Sequence, residues 1–177
     1  MRHTAYIGLG ANLPSRAGAP AQTLAAATAD LAAAGRVTAR SSLYATEPVG
    51  YAAQPAFVNA ALRLETELDP EALLDRLLEI ERTYGRERAA DLPKGPRTLD
   101  LDLLSMDDLL LSSPRLTLPH PALAERRFVL APLAEIAPDL RHPASGAKMT
   151  ELLAALPDAG ANRKDAVRKL PTGQPAP

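Results

Sequence analysis

The chain has 177 residues, 46% of them hydrophobic and 23% charged, which suits one globular domain around a single core. A formal net charge of −1 and an aromatic share of 3%, with no Trp, exclude a globally basic nucleic-acid or membrane-surface binder and point to an aliphatic core. The absence of cysteine excludes disulfides, zinc–thiolate centres and thiol nucleophiles. The first residues, MRHTAYIGLGANL, lack a signal-peptide apolar segment. No apolar run approaches the ~18 residues of a spanning helix. The expectation is a soluble cytoplasmic protein with no membrane partner.

Residues 4–10 (TAYIGLG) read as a short strand whose Gly8 and Gly10 serve a tight turn. Residues 21–34 place Leu24, Ala27, Leu31 and Ala34 on one stripe, predicting a helix stopped by Gly35. Residues 36–44 alternate Val37, Ala39 and Leu43 against Thr38, Arg40 and Ser42, a strand with one face in the core. Residues 56–66 alternate again: Val58, Ala60, Leu62 and Leu64 on one face, Phe57, Asn59, Ala61 and Arg63 on the other. The helix over 70–84 carries the strongest signals. Asp69 suits the N-cap, Pro70 the first helical position, and Gly85 follows the end. Leu73, Leu74, Leu77, Ile80 and Tyr84 form its apolar stripe.

A polar segment, RERAADLPKGPR, leads from Arg86 to Arg97 into a strand over 98–105. Apolar pieces at 109–111 and 115–118 suit a hairpin, and helix signals return at 122–137 and 149–156. From about residue 162 to 177 the chain is polar, basic and proline-rich. The expected organisation is one domain over 1–161 and a mobile C-terminal tail over 162–177. The order strand, helix, strand, strand, helix, strand is the split βαβ pattern. It predicts an α+β, ferredoxin-like core with an antiparallel sheet, helices on its faces and additional C-terminal elements.

Within GPRTLDLDLL, strand alternation sets Asp100 and Asp102 on one face and Leu99, Leu101 and Leu103 on the other. Their Cα atoms are then about 6.5 Å apart. Like charges that close call for a metal ion, an arginine or open solvent at an edge. Magnesium suits the pair, since it takes one or two protein carboxylates plus substrate phosphates; a solvated edge strand is the plainer alternative. Arg86, Arg88 and Arg97 flank the pair, and Arg115, His120, Arg126 and Arg127 follow. Arginine forks suit phosphate oxygens, so a polyphosphate site is plausible. The segment 86–97 has the length of a lid. In YATEPVGYAAQPAFVNAAL, the Asn59 amide can pair with the edge of a heterocycle, and Phe57 can stack on its plane. There is no P-loop, no complete dinucleotide fingerprint and no serine elbow.

Taken together, YIGLGANL, YATEPVG…QPAFVNAAL, IERTYGRER…GPRTLDLDLL and RLTLPHPALAERRFVLAPLAEIAP resemble the 6-hydroxymethyl-7,8-dihydropterin pyrophosphokinases of folate biosynthesis, in order across residues 6–138. The resemblance implies a transferase that moves diphosphate from ATP to the pterin hydroxymethyl group and releases AMP. It also implies a ferredoxin-like fold with additions. Asp100 and Asp102 match the family's ligands for two Mg2+ ions. Arg86 and Arg97 match arginines of a catalytic loop, and Arg126 matches a further phosphate contact. Glu81, Arg88, Arg115, Thr117 and His120 fall at ATP-contacting positions, as Arg97 and Arg126 also do. Thr46, Glu47, Val49, Phe57, Asn59 and Phe128 fall where the pterin is held. Lys94 stands where many members have tryptophan, Glu47 where many have proline, Phe57 where many have tyrosine, and Pro121 replaces a common tyrosine.

The implied partners are the two small substrates, with no nucleic acid and a monomeric chain. A nucleic-acid binder of the same fold needs stacking aromatics and basic charge, which the composition lacks. An inactive relative is disfavoured by the intact aspartates and arginines.

Overall fold

The computed structural model describes residues 1–47, 54–87, 95–157 and 166–171. Strand β1 (His3–Ala11) leads into helix α1 (Pro20–Asp30) and a 3-10 turn at Leu31–Ala33. Strands β2 (Arg36–Arg40), β3 (Tyr44–Thr46) and β4 (Phe57–Thr66) follow, then helix α2 (Pro70–Thr83) and strand β5 (Asp100–Met106). A two-stranded ladder of β6 (Leu111–Ser112) and β7 (Thr117–Leu118) precedes helices α3 (Arg127–Ile136) and α4 (Met149–Ala155), and β8 (Val167–Lys169) comes last. The main sheet runs β5-β1-β4-β3-β8, with β2 also on β4, and every pairing is antiparallel. With β2 and β3 counted as one interrupted strand on β4, this is the split βαβ arrangement expected from the element order, extended by β8.

The element signals act as their chemistry requires. The Asp69 carboxylate accepts from the Ala72 N–H at 2.8 Å and caps α2. Leu73, Leu77 and Ile80 are buried against the sheet together with Leu24, Ala27 and Leu31 of the first helical segment. Val58, Ala60, Leu62 and Leu64 of β4 and Leu101 and Leu103 of β5 fill the same core, so α1 and α2 share one face of the sheet. The opposite face is only partly covered: Tyr6, Ala61 and Leu104 pack under α3 and α4, against Leu130, Leu133 and Met149. Where those helices stop, the sheet is left open around Asn59, Gly10, Asp100 and Asp102.

Five expectations are corrected. Gly8 and Gly10 lie inside β1 rather than in a turn, because β1 continues to Ala11, pairing with β4 throughout and with β5 as far as Gly10. Helix α1 ends at Asp30, not residue 34, and Gly35 does more than stop it: a Cβ there would stand 2.2 Å from the Glu65 carbonyl oxygen. The strand expected over 36–44 is broken at 41–43. The Ser41 hydroxyl accepts the Ala61 N–H at 2.9 Å, and Glu135 of α3 accepts the Ser42 N–H at 3.1 Å, so side chains divert the ladder. Helix α3 begins at Arg127, not 122, with Arg126 in extended geometry as its N-cap. The expected tail is not free over 166–171. Strand β8 pairs with β3, the Leu170 N–H donates to the Leu43 carbonyl at 2.8 Å, and Leu170 is 9% exposed. A polar segment with one buried leucine can be held by ladder bonds alone, and these have no sequence period. Leu170→Ala is expected to cost about 2 kcal/mol and to lower the melting midpoint by about 4–8 °C, measured by circular dichroism. A mobile tail would leave it unmoved.

Candidate active site

The open patch of sheet is floored by two cross-strand rows. Asn59, Gly10 and Asp100 sit side by side on β4, β1 and β5, and Ala61, Gly8 and Asp102 form the next row. Direct partners share a face, so the two carboxylates and the amide look into one space. Gly10 makes that row possible. A Cβ on it would meet the Asn59 Oδ1 at 3.2 Å, a tight contact that would push the amide by a few tenths of an ångström, so glycine leaves it undisturbed. The Asn59 Nδ2 donates to the Thr46 Oγ1 at 2.9 Å, which fixes the amide with Oδ1 over Gly10. Both residues are buried, an uncommon setting for polar side chains away from a site.

Above this floor lies a cleft of about 480 Å³, lined by Thr46, Glu47, Phe57, Asn59, Asp100 and Asp102, with Arg97, Arg126 and Phe128 on the walls. That volume is in the range of small-molecule sites. The Arg97 Nη1 donates to the Asp100 Oδ2 at 2.7 Å, and the buried Arg86 places Nη2 3.7 Å from the Asp100 Oδ1. The Arg97 guanidinium also stands 5.7 Å from the Phe57 ring centre, and Arg126 stands 5.8 Å from that of Phe128. Each aromatic wall thus carries its own arginine, within cation–π range. The start of α3 puts Arg126, Arg127 and Phe128 at the mouth of the cleft, where the helix's free N–H groups and dipole favour anions.

Nine residues singled out from the sequence therefore converge: Thr46, Glu47, Phe57, Asn59, Arg97, Asp100, Asp102, Arg126 and Phe128. Three more lie just behind them. Arg86 reaches Asp100. The Glu81 carboxylate is 1% exposed and accepts the Leu101 N–H at 2.8 Å, anchoring α2 to the aspartate strand. His120 accepts the Ala122 N–H on Nδ1 at 3.1 Å, which leaves the ring proton on Nε2. Arg115 and Thr117 are not among the residues lining the cleft. Arg115 is held by Asp75 and by Glu71 on α2, and Thr117 belongs to the β6–β7 ladder. Val49, Arg88 and Lys94 lie outside the described residues.

Glu125, Leu156 and Pro157 on the cleft wall carry no functional signal in the sequence, where Arg127 reads only as one more flanking cation. The Arg127 Nη2 donates to the Leu156 and Pro157 carbonyls at 3.1 and 2.9 Å, which holds that wall in place. Nothing local in the sequence signals a pairing across thirty residues. Asn12 is likewise absent from the expected site residues, although a polar residue closing an apolar strand is a signal for it.

Burial, and then the Arg126 charge, push the His120 imidazole below its ordinary value, with Asp100 opposing. His120 is therefore expected to be neutral at pH 7 and to titrate with a midpoint below about 6.5 in imidazole nitrogen NMR. The folded state resists a proton that the unfolded chain accepts. Stability from this group is thus complete above the unfolded value and falls as the pH drops from there toward the folded one. A midpoint at or above the ordinary value overturns this.

A family model described as 7,8-dihydro-6-hydroxymethylpterin-pyrophosphokinase (HPPK) matches residues 6–138. The chain belongs to the HPPK family. Among its relatives is the 2-amino-4-hydroxy-6-hydroxymethyldihydropteridine pyrophosphokinase of Pseudomonas aeruginosa, 46% identical over 160 residues, covering 89% of this chain and 94% of that one. The protein of the same name from Methylorubrum extorquens is 45% identical over 161 residues, covering 90% and 97%. In fold, the solved HPPK-DHPS of Plasmodium falciparum with pteroate matches 87% of this chain with a TM-score of 0.64 at 15% identity, and this chain spans 44% of that longer one. As a member of the HPPK family the chain is a pyrophosphokinase, a transferase of folate biosynthesis. Among the described residues no helix is long and apolar enough to cross a membrane.

Proposed function

We propose that this chain transfers diphosphate from ATP to the hydroxymethyl group of 6-hydroxymethyl-7,8-dihydropterin and releases AMP, working as a cytoplasmic monomer. The observation that carries this is the meeting, in one cleft of one chain, of Asp100, Asp102, Arg97 and Arg126 with Phe57, Phe128 and the fixed Asn59 amide. The first set suits a metal-bound triphosphate, the second a flat heterocycle with hydrogen-bonding edges.

Asp100 and Asp102 fit Mg2+. Among the described residues no group of three or more acidic or histidine side chains is placed to hold a metal ion, so an ion held by this pair would complete its oxygens from phosphate and water, as magnesium commonly does. When bound, two Mg2+ ions would offset the triphosphate charge and acidify the pterin hydroxyl. The chain's own groups do the rest. Asp100 and Asp102 fix where the phosphates lie, through the strand geometry that holds them on one face. Arg97, Arg86 and Arg126 are assigned to the charge that grows on the bridging oxygen as the terminal diphosphate leaves AMP; the first two are grouped on Asp100 and the third lines the cleft. Phe57 and Phe128 offer ring faces to the pterin, and Asn59 and Thr46 meet its polar edge. Glu81, Arg88, Arg115, Thr117 and His120 are assigned to the ATP side, and Glu47 and Val49 to the pterin side. For Arg115 this requires exchanging Asp75 and Glu71 for phosphate.

The deciding experiment measures AMP release from ATP with and without hydroxymethyldihydropterin at millimolar Mg2+. The expected result is AMP in one-to-one proportion with the diphosphorylated pterin, and none without the pterin. Pterin-independent ATP breakdown, or none at all, would falsify the reading.

A further inference from the structure

Asn12 is 3% exposed, and its side chain makes three hydrogen bonds that join two segments far apart in sequence. The Oδ1 accepts the Arg97 N–H at 2.8 Å. The Nδ2 donates to the Pro55 carbonyl at 3.0 Å and to the Gln54 Oε1 at 3.1 Å. The backbone reinforces one side, since the N–H groups of Asn12 and Leu13 both donate to the Arg97 carbonyl, at 3.0 and 3.1 Å. Pro55 lies two residues before Phe57, and Arg97 lies three before Asp100. A single buried amide thus joins the foot of the segment carrying the aromatic wall to the foot of the segment carrying the arginine and the metal-ligand strand.

We propose that Asn12 is a positioning residue that sets the two halves of the site against each other, so that the group stacked on Phe57 meets the phosphate held near Arg97 in line. This rests on the reaction proposed above, but the clamp itself is a property of the fold. Arg97 is tied to Asp100 through its side chain and to Asn12 through its backbone. Phe57 sits at the first position of β4, just beyond the clamped pair. Neither β1 pairing continues past Ala11; from there the Asn12 amide, together with the Asn12 and Leu13 N–H groups on the Arg97 carbonyl, does the work of the ladder. A primary amide suits this task because it donates and accepts from one planar head. A carboxylate at the same place could only accept, and a methyl could do neither.

The test compares Asn12→Asp with Asn12→Ala. Asn12→Asp keeps the acceptor for the Arg97 N–H and loses the donor to residues 54 and 55. It is expected to raise the KM for the pterin about tenfold, as for a lost buried hydrogen bond with one partner stranded, with kcat within a few-fold. Asn12→Ala also removes the acceptor for the Arg97 N–H, leaving only the two backbone bonds to the Arg97 carbonyl, and is expected to lower kcat by a further factor of about a hundred, the scale set by an ångström of misplacement. Its affinity for an ATP analogue alone should be unchanged. Amide hydrogen exchange reports the clamp without turnover: Arg97 should stay protected in Asn12→Asp and exchange fast in Asn12→Ala. Equal losses of kcat and KM in both variants, or undiminished protection of Arg97 in Asn12→Ala, overturn the proposal. If Asn12→Ala does not fold, an unchanged pterin KM in Asn12→Asp overturns it. If the unaltered chain releases no AMP, the proposed reaction fails and the exchange pattern alone decides the clamp.

Discussion

Asp102→Asn is expected to lower kcat by about a thousandfold or more, since a ligated dication contributes several kcal/mol to such a transition state. The substitution keeps the shape of the side chain and removes only its charge. Asp102 is half-buried on β5, facing the cleft, with its neighbours Leu101 and Leu103 buried in the core behind it. The strand therefore has no reason to move, and the melting midpoint should stay within a few degrees. Asp100 balances Arg97 and Arg86, so its removal strands two cations, one of them buried, and mixes stability with catalysis. AMP release across a Mg2+ titration checks the claim. A variant that regains most of its rate at high Mg2+ has lost affinity for the ion; one that stays slow at saturation has lost its placement. Near-normal turnover at ordinary Mg2+ would remove Asp102 from the metal site.

Arg97→Ala is expected to lower kcat by about 10² to 10³-fold, the usual effect of deleting one preorganised group facing developing charge. The pterin should suffer less, but not nothing. The sequence alone separates the arginine from the pterin contacts, whereas in the folded chain its guanidinium lies 5.7 Å from the Phe57 ring. A contact of that kind is worth about 0.5–1 kcal/mol at a partly exposed site, so pterin affinity should change by no more than a few-fold. Arg97→Lys separates charge from shape, because it keeps the cation and loses the planar fork that meets Asp100 or phosphate. The expected order of kcat is wild type, then lysine, then alanine. A pterin KM that rises more than kcat falls would move Arg97 from the phosphate side of the site to the pterin side.

The local grammar of this chain was well written. Alternation in β4 and β5 assigned each side chain to the correct face, because a period of two leaves no freedom once one face is buried. Asp69 and Pro70 marked the start of α2. Of the residues that meet in the cleft, Thr46, Phe57, Asn59, Arg97, Asp100, Asp102 and Arg126 were legible from pattern and charge, whereas Glu47 and Phe128 were implied by the family resemblance alone. The errors came where a distant group overrode the local pattern. Glu135 and the Ser41 hydroxyl split an evenly alternating strand at residues 41–43. Leu170 turned part of a polar tail into a sheet edge. Gly10 looked like a turn because its real neighbours, Asn59 and Asp100, are some fifty and ninety residues away.

The sequence by itself determined the order of elements, the sidedness of the strands and the presence of two acids two residues apart beneath a set of arginines. These follow from propensity, period and charge, which act over a few residues. Only the tertiary structure decided that Asn59 stands beside Asp100 with a glycine between them. It also decided that Arg115 is held by α2 rather than facing the cleft, and that Asn12 ties residue 55 to residue 97. Those relations depend on strand order and on hydrogen bonds closed across long loops. Such bonds form only when the core beneath them has packed, because until then each polar group is better satisfied by water.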